Sequence, residues 1–140
     1  MKLLIVDDEK LTREGILKSL PLEKLGIHHT FMADDGVHGL EIALKEKPDL
    51  ILTDVRMPRM SGVEMAEEIL KSLPNAIILF MSAYSDKEYL KAAIKLKAVS
   101  YVDKPLDMNE LTEALAEGIH QYRSMYTSLN AQWMHEGNLR

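Results

Sequence analysis

The chain has 140 residues, 46% hydrophobic and 28% charged, the make-up of one globular domain rather than of a disordered segment. Its 17 Lys and Arg against 22 Asp and Glu leave a net charge of −5, which argues against direct nucleic-acid binding by this segment. The absence of cysteine excludes disulfides, thiolate zinc sites and thiol nucleophiles, and no apolar run nears the roughly 18 residues of a membrane span. Leu3-Leu4-Ile5-Val6 is too short for a signal-peptide core, so the cytoplasm is the expected compartment.

Along the chain, short apolar runs alternate with stretches of helical spacing. Leu3 to Val6 reads as a strand buried on both faces, because the run is continuous rather than alternating. Leu11 to Leu20 has helical spacing and is closed by Pro21; Thr30 to Met32 is a weaker strand. Gly36 to Lys45 reads as helix, Leu50 to Leu52 as strand, and Gly62 to Leu73 as helix ending before Pro74. Ile77 to Met81 is a third continuous strand. Asp86 to Lys97 is helical, with Tyr89, Ala93, Ile94 and Leu96 as its apolar positions. Ser100 to Val102 is a second weak strand, and Asp107, three residues before Glu110, opens a last helix in the manner of a capping box. This alternation predicts an α/β fold, a parallel sheet covered by helices on both faces.

In such sheets, ligands bind beyond the carboxyl ends of the strands at a topological switch point. The residues there are Asp7, Asp8 and Glu9, then Thr53 and Asp54, then Ser82, then Lys104 and Pro105. Asp34 and Asp35 follow the second strand and are expected to lie to one side. Clustered acids repel and raise one another's pKa values, a conflict that a hard divalent cation with oxygen ligands resolves, Mg²⁺ better than zinc. The bland alternative is that these acids only cap the following helix. Asp54, emerging from the centre of the sheet, can act as a nucleophile towards phosphorus and form an acyl phosphate. Lys104 and the Ser82 hydroxyl are placed to contact phosphoryl oxygens.

Four motifs carry a resemblance: LLIVDDE (Leu3 to Glu9), LTDVRMPRMSG (Leu52 to Gly62), MSAYSD (Met81 to Asp86) and YVDKP (Tyr101 to Pro105). Together and in order they resemble a two-component response-regulator receiver domain. The resemblance implies a flavodoxin-like, doubly wound (βα)5 fold with five parallel strands in the order 2-1-3-4-5. It implies Asp54 as phosphoacceptor; Asp7, Asp8, Asp54 and the backbone carbonyl of Arg56 as Mg²⁺ ligands; Ser82 and Tyr101 as switch residues; and Lys104 as the conserved-type lysine. It also implies a cis peptide bond before Pro105. The partners it implies are a sensor histidine kinase as donor and a homodimer on phosphorylation, paired through the helix after Asp86, the fifth strand and the last helix. Such a receiver is no enzyme beyond self-catalysed phosphotransfer and slow autodephosphorylation, the slowness following from bulky Arg56 and Tyr84 beside the water path. For Tyr101 the plain alternative is a half-buried strand aromatic.

Leu22 to Ile27, the RMPRMSG stretch and Tyr84 to Tyr89 narrow the resemblance to receivers fused to AraC-type DNA-binding domains. An output domain of that kind, transcriptional by this likeness, would need about a hundred further residues. Two positions depart from the family pattern: Lys97 where Gly is usual, and Ser61 where Asp is common before Gly62. A haloacid-dehalogenase-type phosphatase would need a second acid where Arg56 stands, and a flavodoxin-type cofactor site would be repelled by Asp7-Asp8-Glu9. The five histidines lack metal-ligand spacing, and the nine methionines read mostly as core.

Residues 1–122 are expected to form the receiver, and 123–140 a C-terminal helical extension, linker or tail. Leu111, Leu115, Ile119, Tyr122, Tyr126, Leu129 and Trp133 recur at steps of four, four, three, four, three and four. The first three fit the core face of the last helix. The others fit either a coiled-coil-like signalling helix or a tail that merely packs on the domain.

Overall fold

The computed structural model describes residues 1–93 and 99–138, and side chains for all of these except 92, 93, 99, 126 and 128–138. In chain order the elements are β1 (Lys2–Val6), α1 (Lys10–Ser19), α2 (Leu22–Leu25), β2 (His29–Ala33), α3 (Gly36–Glu46), β3 (Leu50–Asp54) and α4 (Gly62–Ser72). They continue with β4 (Ile77–Ser82), a 3-10 turn (Tyr84–Asp86), α5 (Lys87–Ala93), β5 (Val99–Asp103) and α6 (Met108–Asn138). The five strands are all parallel and lie in the order β2-β1-β3-β4-β5.

The apolar runs divide by parity, because successive side chains of a strand point to opposite faces. Leu4, Val6, Ile51, Ile78 and Phe80 pack on one face with Ala43 of α3, Met65, Ala66 and Ile69 of α4, and Leu90 of α5. Leu3, Ile5, Leu50, Leu52, Leu79 and Met81 pack on the other with Ile16 of α1, Leu20 at its C-terminal cap, and Leu111, Leu115 and Ile119 of α6. Every residue of β3 and β4 is buried, so truncating one of their large side chains, such as Leu52→Ala, would cost about 2–5 kcal/mol. Edge strand β2 has the pattern of a half-covered strand, with His29 exposed and only Ala33 buried.

Local signals set most helix ends. Asp35 caps α3 by accepting from His38 N at 2.8 Å. Ser61, the departure from Asp, closes a capping box with Glu64 at the start of α4. The Asp107 carboxylate accepts from the backbone N–H groups of Asn109 and Glu110. The short α2 lies outside the elements expected from periodicity. A single turn shows no repeat, and Pro21 and the left-handed Gly26 (φ 77) bound it. The helix expected from Asp86 begins one residue later, after the 3-10 turn. Lys97 lies outside the described residues.

The last helix runs unbroken from Met108 to Asn138, across the boundary expected at residue 122. Tyr122 and Met125 still pack against the core on the α1 and α6 face, and the Tyr122 hydroxyl donates to Asp49 Oδ1 at 2.7 Å. The side chains of Tyr126, Leu129 and Trp133 lie outside those described. Among the described residues, no helix is long and apolar enough to cross a membrane.

Candidate functional site

The strand register brings the expected residues to one edge. Val6 pairs with Thr53, Asp54 with Met81, and Ser82 with Asp103, so β1, β3, β4 and β5 end level with one another. Asp7, Asp54, Ser82 and Lys104 therefore leave the sheet side by side. The Lys104–Pro105 peptide bond is cis.

Carboxylate oxygens of Asp7, Asp8 and Asp54 lie within 4.8 Å of one another, with Asp8 exposed and the other two buried. Lys104 Nζ sits 3.0 Å from Asp54 Oδ2 and 3.8 Å from Asp7 Oδ2. Asp54 Oδ1 accepts from Val55 N at 2.9 Å. Asp7 Oδ1 accepts from Glu9 N at 2.8 Å, which is the helix-capping role open to this acid. Asp7 Oδ2 has no hydrogen-bond partner, and among the described residues it is the one buried side-chain polar atom so placed. Capping thus accounts for half of the carboxylate. A buried carboxylate oxygen without a hydrogen bond is costly, and a bound cation would offset that cost.

Burial pushes the carboxyls of Asp7 and Asp54 above their ordinary value of 3.8. At Asp7 the Glu9 N–H pulls the other way, and the Asp54 charge adds to the rise. At Asp54 the bond to Lys104 offsets part of the burial. Burial works to lower Lys104, but its hydrogen bond to Asp54 and the charges of Asp54, Asp7 and Glu9 prevail and raise it. The site is an acidic cluster partly neutralised by one ammonium. Its donor set of carboxylates fits a hard divalent ion of the Mg²⁺ type.

The loop after Asp54 is held closely. Gly62 N donates to Val55 O at 2.8 Å, and a Cβ on Gly62 would run into the carbonyl oxygen of Asp54. Arg59, with a left-handed φ of 67, pairs with Asp35 through Nε at 2.8 Å, tying this loop to the start of α3. Asp35 is held below the usual carboxylate range first by the His38 N–H and further by Arg59, against the effect of burial. Its role is structural, as its lateral position in the sequence implied.

Two expected residues make other contacts. Ser82 is buried, but its hydroxyl donates to the Ala83 carbonyl at 3.1 Å. Tyr101 is 41% exposed, and Lys87 Nζ lies 4.9 Å from its ring centroid while pairing with Asp103 at 2.5 Å. Tyr84 is 89% exposed. Sequence reasoning gave Asp86 only a place at a helix start and in the MSAYSD motif; it is 4% exposed, accepts from Ala83 N at 3.2 Å and pairs with Arg56 Nε at 2.8 Å. An acid three residues after a turn entry is the signal that could have found it, since that spacing lets a carboxylate reach back to the entry N–H.

Residues 3–116 match the family model of the response regulator receiver domain. An uncharacterized response regulatory protein of Staphylococcus epidermidis is 39% identical over 114 residues, covering 81% of this chain and 45% of that protein. The transcriptional regulatory protein HptR of Staphylococcus aureus is 38% identical over 110 residues, 79% of this chain and 43% of that protein. The chain therefore spans less than half the length of these curated relatives. A crystal structure of a two component transcriptional regulator AraC from Clostridium phytofermentans superposes with a TM-score of 0.85 at 49% identity, covering 89% of this chain and 96% of that one. The receiver (REC) domain of AraT, a response regulator from Geobacillus stearothermophilus, superposes at 0.84 with 31% identity, covering 89% and 97%. With its strand order, its level strand ends and these likenesses, the chain belongs to the response regulator receiver domain family.

Proposed function

We propose that this chain is a phosphorylation-activated receiver of a two-component system, in which Asp54 takes a phosphoryl group from a phosphohistidine of a sensor histidine kinase. What carries the reading is the pairing of a buried Asp54, 3.0 Å from Lys104, with a neighbouring Asp7 oxygen that accepts no hydrogen bond. Asp7, Asp8, Asp54 and the Arg56 carbonyl would hold Mg²⁺, which supplies charge neutralisation for phosphoryl oxygens. An Asp54 carboxylate oxygen forms the bond to phosphorus as the donor's P–N bond breaks. Lys104 then faces a phosphoryl oxygen in place of the free carboxylate.

Phosphorylation adds acceptor oxygens within reach of the Ser82 loop. Ser82 leaves the Ala83 carbonyl and donates to the phosphoryl group; Tyr101 turns inward from its exposed position, and the surface of α5, β5 and α6 changes shape. This is a shift between two populations, driven by the better fit of the phosphoryl group to one of them. That surface is where two phosphorylated copies pair. In a longer chain it controls an output domain, transcriptional as in the named relatives and of AraC type by the AraC likeness. The receiver is assigned residues 1–122, with 123–140 as its helical extension, and the cytoplasm as its compartment. Arg56 and Tyr84 offer no general base for hydrolysis, so autodephosphorylation is slow.

The test is intact-mass spectrometry with Mg²⁺ and a small phosphodonor. The protein gains one phosphate, and Asp54→Asn gains none; undiminished incorporation in the variant removes the assignment. Sedimentation velocity with Mg²⁺ and beryllofluoride, a phosphoryl mimic, reads the dimer, and identical distributions with and without bound mimic exclude it.

A further inference from the structure

Arg56 belongs to two loops at once. Its backbone lies in the loop after Asp54, two residues beyond the acceptor, while its side chain reaches the loop after β4. There Nε donates to Asp86 Oδ1 at 2.8 Å, and the guanidinium carbon sits 5.0 Å from the Tyr89 ring centroid. The Tyr89 hydroxyl is in turn 3.0 Å from Ser61 Oγ, at the cap of α4. Asp86 braces Ala83 from both sides: its Oδ2 accepts from Ala83 N, and its own N–H donates to Ala83 O at 3.0 Å. That same Ala83 oxygen holds the Ser82 hydroxyl. A continuous chain of contacts therefore runs from the loop after Asp54 to the one hydroxyl proposed to bind the phosphoryl group.

We infer that Arg56 is a positioning residue: its ion pair with Asp86 latches the Ser82–Ala83 loop in the withdrawn state and so opposes the phosphorylated form. The inference rests on the reading of Asp54 as phosphoacceptor. For Ser82 to donate to a group on Asp54, its bond to Ala83 O must break, and any inward shift of the Ser82–Ala83 loop pulls against Asp86. Asp86 holds residue Ala83 at both its backbone N–H and its backbone carbonyl. The Asp86 side chain is 6% exposed, so displacing it from Arg56 exposes or strands a buried carboxylate, a cost that falls on the active state alone. The Arg56 side chain is 65% exposed, which keeps the latch weak enough for a phosphoryl group to override. A protein whose competent state is only partly populated binds its ligand more weakly by that fraction, and loosening the latch raises the fraction.

The full chain, at saturating Mg²⁺, is titrated with beryllofluoride by calorimetry as wild type, Arg56→Met, Asp86→Asn and the double variant. Arg56→Met keeps the backbone carbonyl and the apolar stem; Asp86→Asn keeps an acceptor for Ala83 N. Each single variant binds the mimic roughly threefold to tenfold tighter, while its urea-denaturation midpoint without ligand falls. The double variant binds no tighter than the better single one, because one interaction has been removed twice. A role limited to structure lowers stability without tightening binding. Unchanged or weaker binding by Arg56→Met, whose exposed site preserves the fold, therefore overturns the latch. A wild type that binds no beryllofluoride fails differently, by removing the phosphoacceptor reading itself.

Discussion

At the amino end of the sheet Asp49 has both carboxylate oxygens occupied, Oδ2 by Lys2 N at 2.8 Å and Oδ1 by the Tyr122 hydroxyl at 2.7 Å. Its backbone also joins neighbours, with Asp49 N on Lys2 O and Ile77 N on Asp49 O. At the carboxyl end, Asp7 keeps a buried oxygen without a hydrogen bond, beside two further acids and a single lysine. The same strands thus end in satisfied polar groups below and in unresolved like charge above. On the function proposed above, the difference separates groups placed for stability from groups placed for chemistry, since only the second carry a buried acid oxygen without a hydrogen bond.

The most damaging way to break the contrast is to move the upper backbone itself. Gly62→Ala forces a methyl group into the Asp54 carbonyl, where neither atom can retreat cheaply. We expect a loss of about 3 kcal/mol or more in urea denaturation, together with loss of phosphate incorporation. A variant that keeps wild-type stability would show that this loop tolerates rearrangement.

The sharper test sets the two ends against each other. Asp49→Ala removes acceptors from Lys2 N and Tyr122 and should destabilise by about 2 kcal/mol, with phosphorylation retained. Asp7→Asn, which keeps an acceptor for Glu9 N, should act in the opposite sense and stabilise the metal-free protein by about 1 kcal/mol. It should also abolish stabilisation by added Mg²⁺. The sign has a pH signature. Because the folded-state pKa of Asp7 is raised, its ionisation destabilises the folded form only above the ordinary value of 3.8. Below that pH, Asp7 is protonated folded or unfolded, and wild type and variant should differ little. As the pH rises through the folded pKa, the advantage of the variant should grow and then level off. An advantage that is constant across this range, or reversed, would show that Asp7 ionisation is not the strained feature.

Much of this arrangement was legible in the residues. The continuous runs of β1, β3 and β4 announced strands buried on both faces, and the acids, hydroxyl and lysine at their ends announced the site. The edge strands β2 and β5 were weaker signals because each is covered incompletely: His29, Ser100 and Tyr101 are all exposed. What the residues could not announce are pairings across long stretches of chain. Asp86 looks like one more helix-opening acid until Arg56, 30 positions earlier, is seen to meet it. Asp49 looks like a loop residue after Pro48 until Tyr122, 73 positions later, folds back onto it. Neither contact has a local pattern, since both depend on the sheet order placing distant segments together. The same holds for the orientation of Ser82 and Tyr101, since their identity suggests a switch but their present hydrogen bonds and exposure are properties of packing.

The bond from Tyr122 to Asp49 also fixes an angle. An α-helix turns about 100° and advances about 1.5 Å with each residue, so one anchored side chain sets the compass bearing of every residue beyond it. Over its 31 residues α6 is about 46 Å long, and Tyr122 sits near its middle. Everything downstream inherits its rotational phase from that anchor. One residue inserted after Met125 would swing the following surface by about 100°, whereas seven would bring it back to within about 20° of its original bearing, about 10 Å further along. With an output element attached, as proposed above, the helix would work as an indexed shaft, for which the direction that element faces matters separately from how far away it stands.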